Sequence, residues 1–162
     1  MIFTFAMACC TLFLGAADAP AISYAKQEPL AILSVTPENT TVPRYGKFEL
    51  RVDLAATYAN PFDPDEIELY AGFTAPDGRR GRTNAFLGQE CARQLDGNRE
   101  AITPSGDPVW IIRFAPVVEG QWRYVVYAKD KSGSVETPEA AFTVTPSENP
   151  GFVRRCSTNP NV

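Results

Sequence analysis

The 162-residue chain contains no histidine. That absence excludes Ser-His-Asp and Cys-His nucleophile activation within the chain, and histidine-ligated zinc with them. Acid–base chemistry would fall to carboxylate pairs, lysine or tyrosine. Basic runs are missing too: nothing longer than Arg79-Arg80 occurs, and the net charge is −4. Binding a phosphate backbone needs clustered positive charge, so nucleic acid is excluded as a partner. A membrane-surface role fails on the same ground. No stretch keeps a helical period over three turns. What the chain does have is 14 prolines and 11 glycines in a globular composition. Its length suits one turn-rich domain with a modest core.

The N-terminal run MIFTFAMACCTLFLGA is apolar and uncharged, and small residues follow it up to Lys26. It is shorter than the roughly 20 apolar residues of a membrane span. Residues 1–25 therefore read as an export signal, with Ser23-Tyr24-Ala25 or Ala19-Pro20-Ala21 as the A-x-A-like cleavage site. No Lys or Arg precedes the run, which departs from the usual signal pattern. The expected location is periplasmic, cell-surface or extracellular, with no membrane attachment of the mature form. Cys9 and Cys10 leave with the signal. Cys91 and Cys156 then remain, either as one disulfide of an oxidising compartment or as two unpaired thiols. In the chain-entropy model such a bridge contributes about 4 kcal/mol.

The body reads as short strands between turns. Residues 30–36 form an apolar strand ending at Pro37. Residues 46–56 alternate Phe48, Leu50, Val52 and Leu54 with Lys47, Glu49, Arg51 and Asp53, one buried and one wet face. Residues 66–76 put Ile67, Leu69 and Phe73 on an apolar side before the Pro76-Asp77-Gly78 turn. Residues 79–88 suggest a short edge strand, and 89–107 read as a polar loop. VWIIRFA and QWRYVVYAK are two long strands joined across Pro116 to Gly120. The last strand brings Ala141 or Phe142 inward with Val144. About seven such strands predict an all-β, antiparallel β-sandwich.

Both tryptophans lie in VWIIRFAPVVEGQWRY. Alternation sends Trp110, Ile112 and Phe114 one way and Val109, Ile111 and Arg113 the other. In the second strand Trp122, Tyr124 and Val126 oppose Arg123, Val125 and Tyr127. Pairing the two strands turns both tryptophans inward, as core material rather than a ligand platform. The opposite face, with Val109, Ile111, Arg113, Arg123 and Val125, becomes a candidate domain interface. Tyr70 and Tyr127 are the candidate exposed aromatics for carbohydrate. Asp63, Asp65 and Glu66 cluster in NPFDPDE. A solvated turn is the leading reading there. A calcium site and a glycosidase-type carboxylate pair are the alternatives, though the segment lacks the glycine and terminal glutamate of an EF-hand loop. Asn39-Thr40-Thr41 matches a glycosylation sequon, informative only in a eukaryotic secretory pathway.

The string W-I-I-R-F-A-P-V-V-E-G-Q-W-R-Y resembles the W-x-x-R-F-x-P-x-x-x-G-x-W-x-Y signature of a family of N-terminal immunoglobulin-like domains. That family precedes the catalytic barrel of exported glycoside hydrolases and is catalogued as a domain of unknown function. YANPFDPDEIELYAGFTAPDGR, TNAFLGQE and SGSVETPEAAFTVTPSENPGFVRRCSTNP resemble three further segments of it, in order. Asn84-Ala85 departs from the proline or small residue expected there. The resemblance covers roughly residues 30–160. It implies an immunoglobulin-like sandwich over 26–148, with Trp110, Phe114, Gly120, Trp122 and Tyr124 structural. Trp122 falls near the tyrosine-corner position, and Tyr124 near the usual cysteine, so the antibody-type inter-sheet disulfide is not expected.

It further implies that 149–162 leads towards a barrel carrying two catalytic carboxylates. The chain stops at Asn159-Pro160-Asn161-Val162, where that barrel would begin. The expectation is a non-catalytic accessory domain with no cofactor, whose partner is a glycosidase barrel in cis. The alternatives are a stand-alone module binding polysaccharide and a cell-surface adhesion domain.

Overall fold

A computed structural model describes residues 24–153. Ten strands form among the described residues: β1 (Lys26–Pro37), β2 (Thr41–Pro43), β3 (Phe48–Tyr58), β4 (Ile67–Thr74), β5 (Arg80–Asn84), β6 (Phe86–Asp96), β7 (Arg99–Phe114), β8 (Gly120–Asp130), β9 (Gly133–Glu136) and β10 (Ala140–Thr145). One sheet runs β1-β3-β7-β6 and the other β2-β10-β8-β4-β5, with β9 beside the far half of β8. All pairings are antiparallel except β2 with β10. The expected all-β antiparallel sandwich is what the chain forms. It has more strands than the pattern suggested because short β2 and β9 add to the sheet margins, and because the single edge strand expected at 79–88 divides at Ala85 into β5 and β6, one in each sheet.

The core lies where the inward positions of the two sheets meet. Phe48, Leu50 and Ile112 come from the first sheet, and Phe73, Val126 and Phe142 from the second. Phe48 stacks on Phe142 at 3.7 Å between ring centres, and Phe73 on Phe114 at 4.2 Å. Ala141 is exposed, so Phe142 is the inward residue of the last strand. Truncating a ring such as Phe48 would cost about 3–5 kcal/mol.

Three readings are corrected. VWIIRFA and QWRYVVYAK are not a hairpin. β7 pairs with β3 and β6, while β8 pairs with β4, β9 and β10. The segment from Ala115 to Glu119 crosses from one sheet to the other. Both tryptophans still turn inward, because each strand keeps its own alternation. Residues 89–107 are not a loop: β6 and β7 stay in register from Glu90–Ser105 to Asp96–Arg99, closed by Gly97 and Asn98. This stretch projects past the sandwich as a two-stranded arm, exposed on both faces. Glu49, on the nominally wet face of β3, is only 4 % exposed. Arg113 opposite it on β7 covers it, with Nε 2.7 Å from the carboxylate, and Lys47 adds a second contact at 3.3 Å.

At the entry to β8 a β-sandwich device appears. Gly120 sits at φ +114, and a Cβ there would meet Pro76 at 3.0 Å. Two residues on, the Trp122 indole donates to the Val118 carbonyl at 2.7 Å. This is the bond a tyrosine corner makes with its hydroxyl, reaching back to backbone a few residues upstream. It fixes the crossing segment to the sheet it enters.

Candidate interaction surfaces

Because β7 and β8 lie in different sheets, the expected single interface is split. Val109, Ile111 and Arg113 occupy the outer face of the first sheet; Arg123, Val125 and Tyr127 occupy that of the second. The correction is one of partners, not of alternation. Ile111 is also buried already by its own chain. A Cβ on Gly88 would come within 2.7 Å of its Cδ1, and Arg113 reaches over the Phe86 ring at 5.2 Å. On the other face Arg123 faces Glu139 at 3.5 Å, and half-buried Val125 sits opposite Gly72.

Tyr70 and Tyr127 are direct cross-strand partners, stacked at 5.0 Å. From the other side, β5 brings the Arg82 guanidinium to 3.7 Å over the Tyr70 ring. Arg82 is itself tied to the Glu68 carboxylate and to Asn84 Oδ1 at 3.1 Å. The ladder Tyr127–Tyr70–Arg82 thus uses both faces of Tyr70 in stacking and cation–π contact. Tyr70 is enclosed between its neighbours, whereas the Tyr127 ring is stacked only on Tyr70.

The acidic cluster resolves into backbone capping. Glu66 accepts from the N–H groups of Ala59 at 2.6 Å and Asn60 at 2.9 Å. Those bonds, that from Asn60 first, hold its carboxyl below the ordinary carboxylate range. Asp63 accepts from the Asp65 N–H at 2.9 Å. Among the described residues no three Cys, Asp or Glu converge as metal ligands. Asp63 and Glu66 thus cap the backbone of a turn, with the Asp65 N–H donating one of those bonds.

That turn has a second consequence. It lifts Phe62 to its tip, and Phe86 stands across from it at the start of β6. Composition gave no signal for either ring. Only the fold shows that they rim a crevice with Trp110 behind them. Cys91 is exposed on the β6–β7 arm, and its proposed partner Cys156 lies outside the described residues, as do residues 1–23 of the export signal.

The exit from the sandwich is anchored. Arg44 donates to the Ser147 carbonyl at 3.3 Å and pairs with Glu119 at 3.1 Å. Ser147 and Asn149 side chains accept from the N–H groups two residues on, at 3.1 and 2.9 Å. Gly151, at φ +88, lies so close to the Tyr45 ring that a Cβ would fall within 2.7 Å of it. Phe152 meets the same ring edge-on at 5.7 Å. Tyr45 is held at φ +65, a backbone region that non-glycine residues seldom enter.

A family model described as a domain of unknown function, DUF5060, matches residues 41–129. No curated protein matches the chain. Among solved structures, a Bacteroides vulgatus ATCC 8482 protein provisionally named a glycoside hydrolase is 24 % identical, with a TM-score of 0.41. The match covers 68 % of the present chain and 17 % of that one.

Proposed function

Because the chain belongs to the DUF5060 family, whose own function is undefined, we propose that it is a non-catalytic accessory domain of an exported glycoside hydrolase. In this reading it sets the attitude of a carbohydrate-active domain that follows it. The observation that carries the reading is the anchored exit. Most of the segment from Ser147 to Phe152 is open to solvent, and a passive linker would make no contact with the sandwich at all. Here Arg44 and the strained Tyr45 hold that segment through a hydrogen bond, a glycine contact and an aromatic contact. Strain in the backbone persists only where surrounding structure over-determines it. Its use here is to fix the direction in which the chain leaves.

The resemblance in SENPGFVRR supports the same role, since that is the family segment that leads into the barrel. The test starts from the reading frame past Val162. It should encode a carbohydrate-active domain, and its absence would sink the reading. With the longer product in hand, small-angle scattering should give one compact arrangement that broadens in Tyr45→Ala. An unchanged scattering profile in that variant would remove the positioning role.

A further inference from the structure

The β6–β7 arm leaves both of its faces to solvent. Between Gly88 and Glu90 the register slips, with Gly106 at φ +75 on the opposing strand, and this bulge sets the arm off from the sheet. Beyond it, directly opposed residues share a face, and the faces alternate along the ribbon. One face is small and polar, with Ala92 opposite Thr103 and Gln94 opposite Ala101. The other places Arg93 opposite Ile102 and Leu95 opposite Glu100. Leu95 is 69 % exposed and Ile102 62 % exposed, so the two large apolar side chains of the arm lie on that one face. They occupy one diagonal of the four positions, and the Arg93–Glu100 ion pair occupies the other.

The placing of the charges selects the occupant. A partner of a single charge sign would be drawn to one corner of this face and repelled by the other. A purely apolar partner would strip water from Arg93 and Glu100 and offer nothing in return. A second copy of the same face meets neither difficulty. Turned about a two-fold axis along the Leu95–Ile102 diagonal, it sets leucine on leucine and isoleucine on isoleucine. The same rotation brings Arg93 of each copy over Glu100 of the other, so no charge loses its partner. We propose that two copies of this chain associate through their arms, face to face, with the Arg93–Glu100 pairs exchanged between them. Four central residues a side fall well short of the roughly 800 Å² per partner of a stable interface, so the dimer is a weak one. It leaves the exit free. The arm departs from the end of the sheet towards which β3 runs, whereas Tyr45 holds Gly151 and Phe152 at the end where β3 begins.

Sedimentation equilibrium of the full chain, carried into the high-micromolar range, tests it. The chain should pass from monomer to dimer as its concentration rises. Leu95→Lys should leave it monomeric, and Arg93→Glu or Glu100→Arg alone should weaken association tenfold or more. Mixing those two charge variants should restore the dimer, because each then offers the charge that the other lacks. Circular dichroism should stay native in all three, since the arm's side chains are exposed. A monomer at every concentration overturns the proposal. So does association indifferent to the charge variants, or a mixture of the two that stays monomeric. If the longer product is monomeric while its arm amides exchange more slowly than those of this chain, a following domain covers the face and the second copy is overturned. The scattering test through Tyr45 reads the exit alone, so either reading can fail without the other.

Discussion

Glu49 and Asp130 are the two carboxylates that the fold buries among the described residues, at 4 and 5 % exposure. For each, burial opposes ionisation, but hydrogen bonds outweigh it and the pKa falls. Arg113 and then Lys47 supply the bonds at Glu49, and Ser132 and then the Thr57 N–H supply them at Asp130. A pKa lower in the folded state means stability that is complete above the unfolded-state value and lost as pH drops through the folded one. Stability should therefore hold from neutral pH to about pH 5 and decline below about pH 4. Glu49→Gln should lower the unfolding free energy by about 1–2 kcal/mol at pH 7, since Arg113 is itself half exposed. Urea midpoints at pH 7 and pH 3 should show that deficit shrinking in acid; an equal deficit at both would contradict the assignment.

The tryptophans give a paired comparison at the same scale. Trp122→Phe deletes a bond to Val118, whereas Trp110→Phe deletes none. Trp122→Phe should cost about 1 kcal/mol more, read by chemical denaturation. The inward sense of both was legible in the alternation of their strands. The difference in their hydrogen bonding was not, because it depends on where a loop carbonyl falls. Glu49 was illegible for a related reason: alternation assigns a face, and cannot say that Arg113 from another strand will cover it.

Among the elements, the β6–β7 arm stands apart. Beyond Gly88 it pairs only with itself, and Leu95 and Ile102 remain exposed. A lone two-stranded ribbon is marginally stable in water. Amides from Glu90 to Ser105 should exchange with deuterium well before those of β3 or β8. Replacing residues 91–104 with a two-residue turn should shift the denaturation midpoint by the equivalent of less than about 0.5 kcal/mol, because no core contact is lost. A larger loss would mean that the arm supports the sandwich.

The arm escaped sequence reading because its signals are turn signals: Pro104, Gly106, Pro108 and a mixture of charged and small residues. Prolines are tolerated there because the arm's outer edges are unpaired. β3, β4 and β8 were legible for the opposite reason. One of their faces is buried end to end, and period-2 alternation records that fact.

On the scale of the molecule, the pattern supplied faces but not neighbours. A strand of alternating residues fits either sheet of a sandwich, so the partners of β7 and β8 had to come from the fold. The same indifference misled the interface reading, which joined two faces lying on opposite sides of the domain. What binds those sides together includes Asp130, which takes the Thr57 N–H of β3 at 3.1 Å from its place at the end of β8. Asp130→Ala should lower thermal stability by an amount equivalent to about 1–3 kcal/mol, the cost of leaving that N–H unmade.

The parallel pairing of β2 with β10 has a bearing on time. β2 is made early, yet the edge it docks against is the last strand of the sandwich. Phe48 likewise waits for Phe142. β1 and β3 can pair as soon as both are made, but a ribosome must finish nearly the whole domain before β2 finds its edge and Phe48 its stacking partner. Until Ala140 to Thr145 emerge, any partner that favours extended chains finds one waiting.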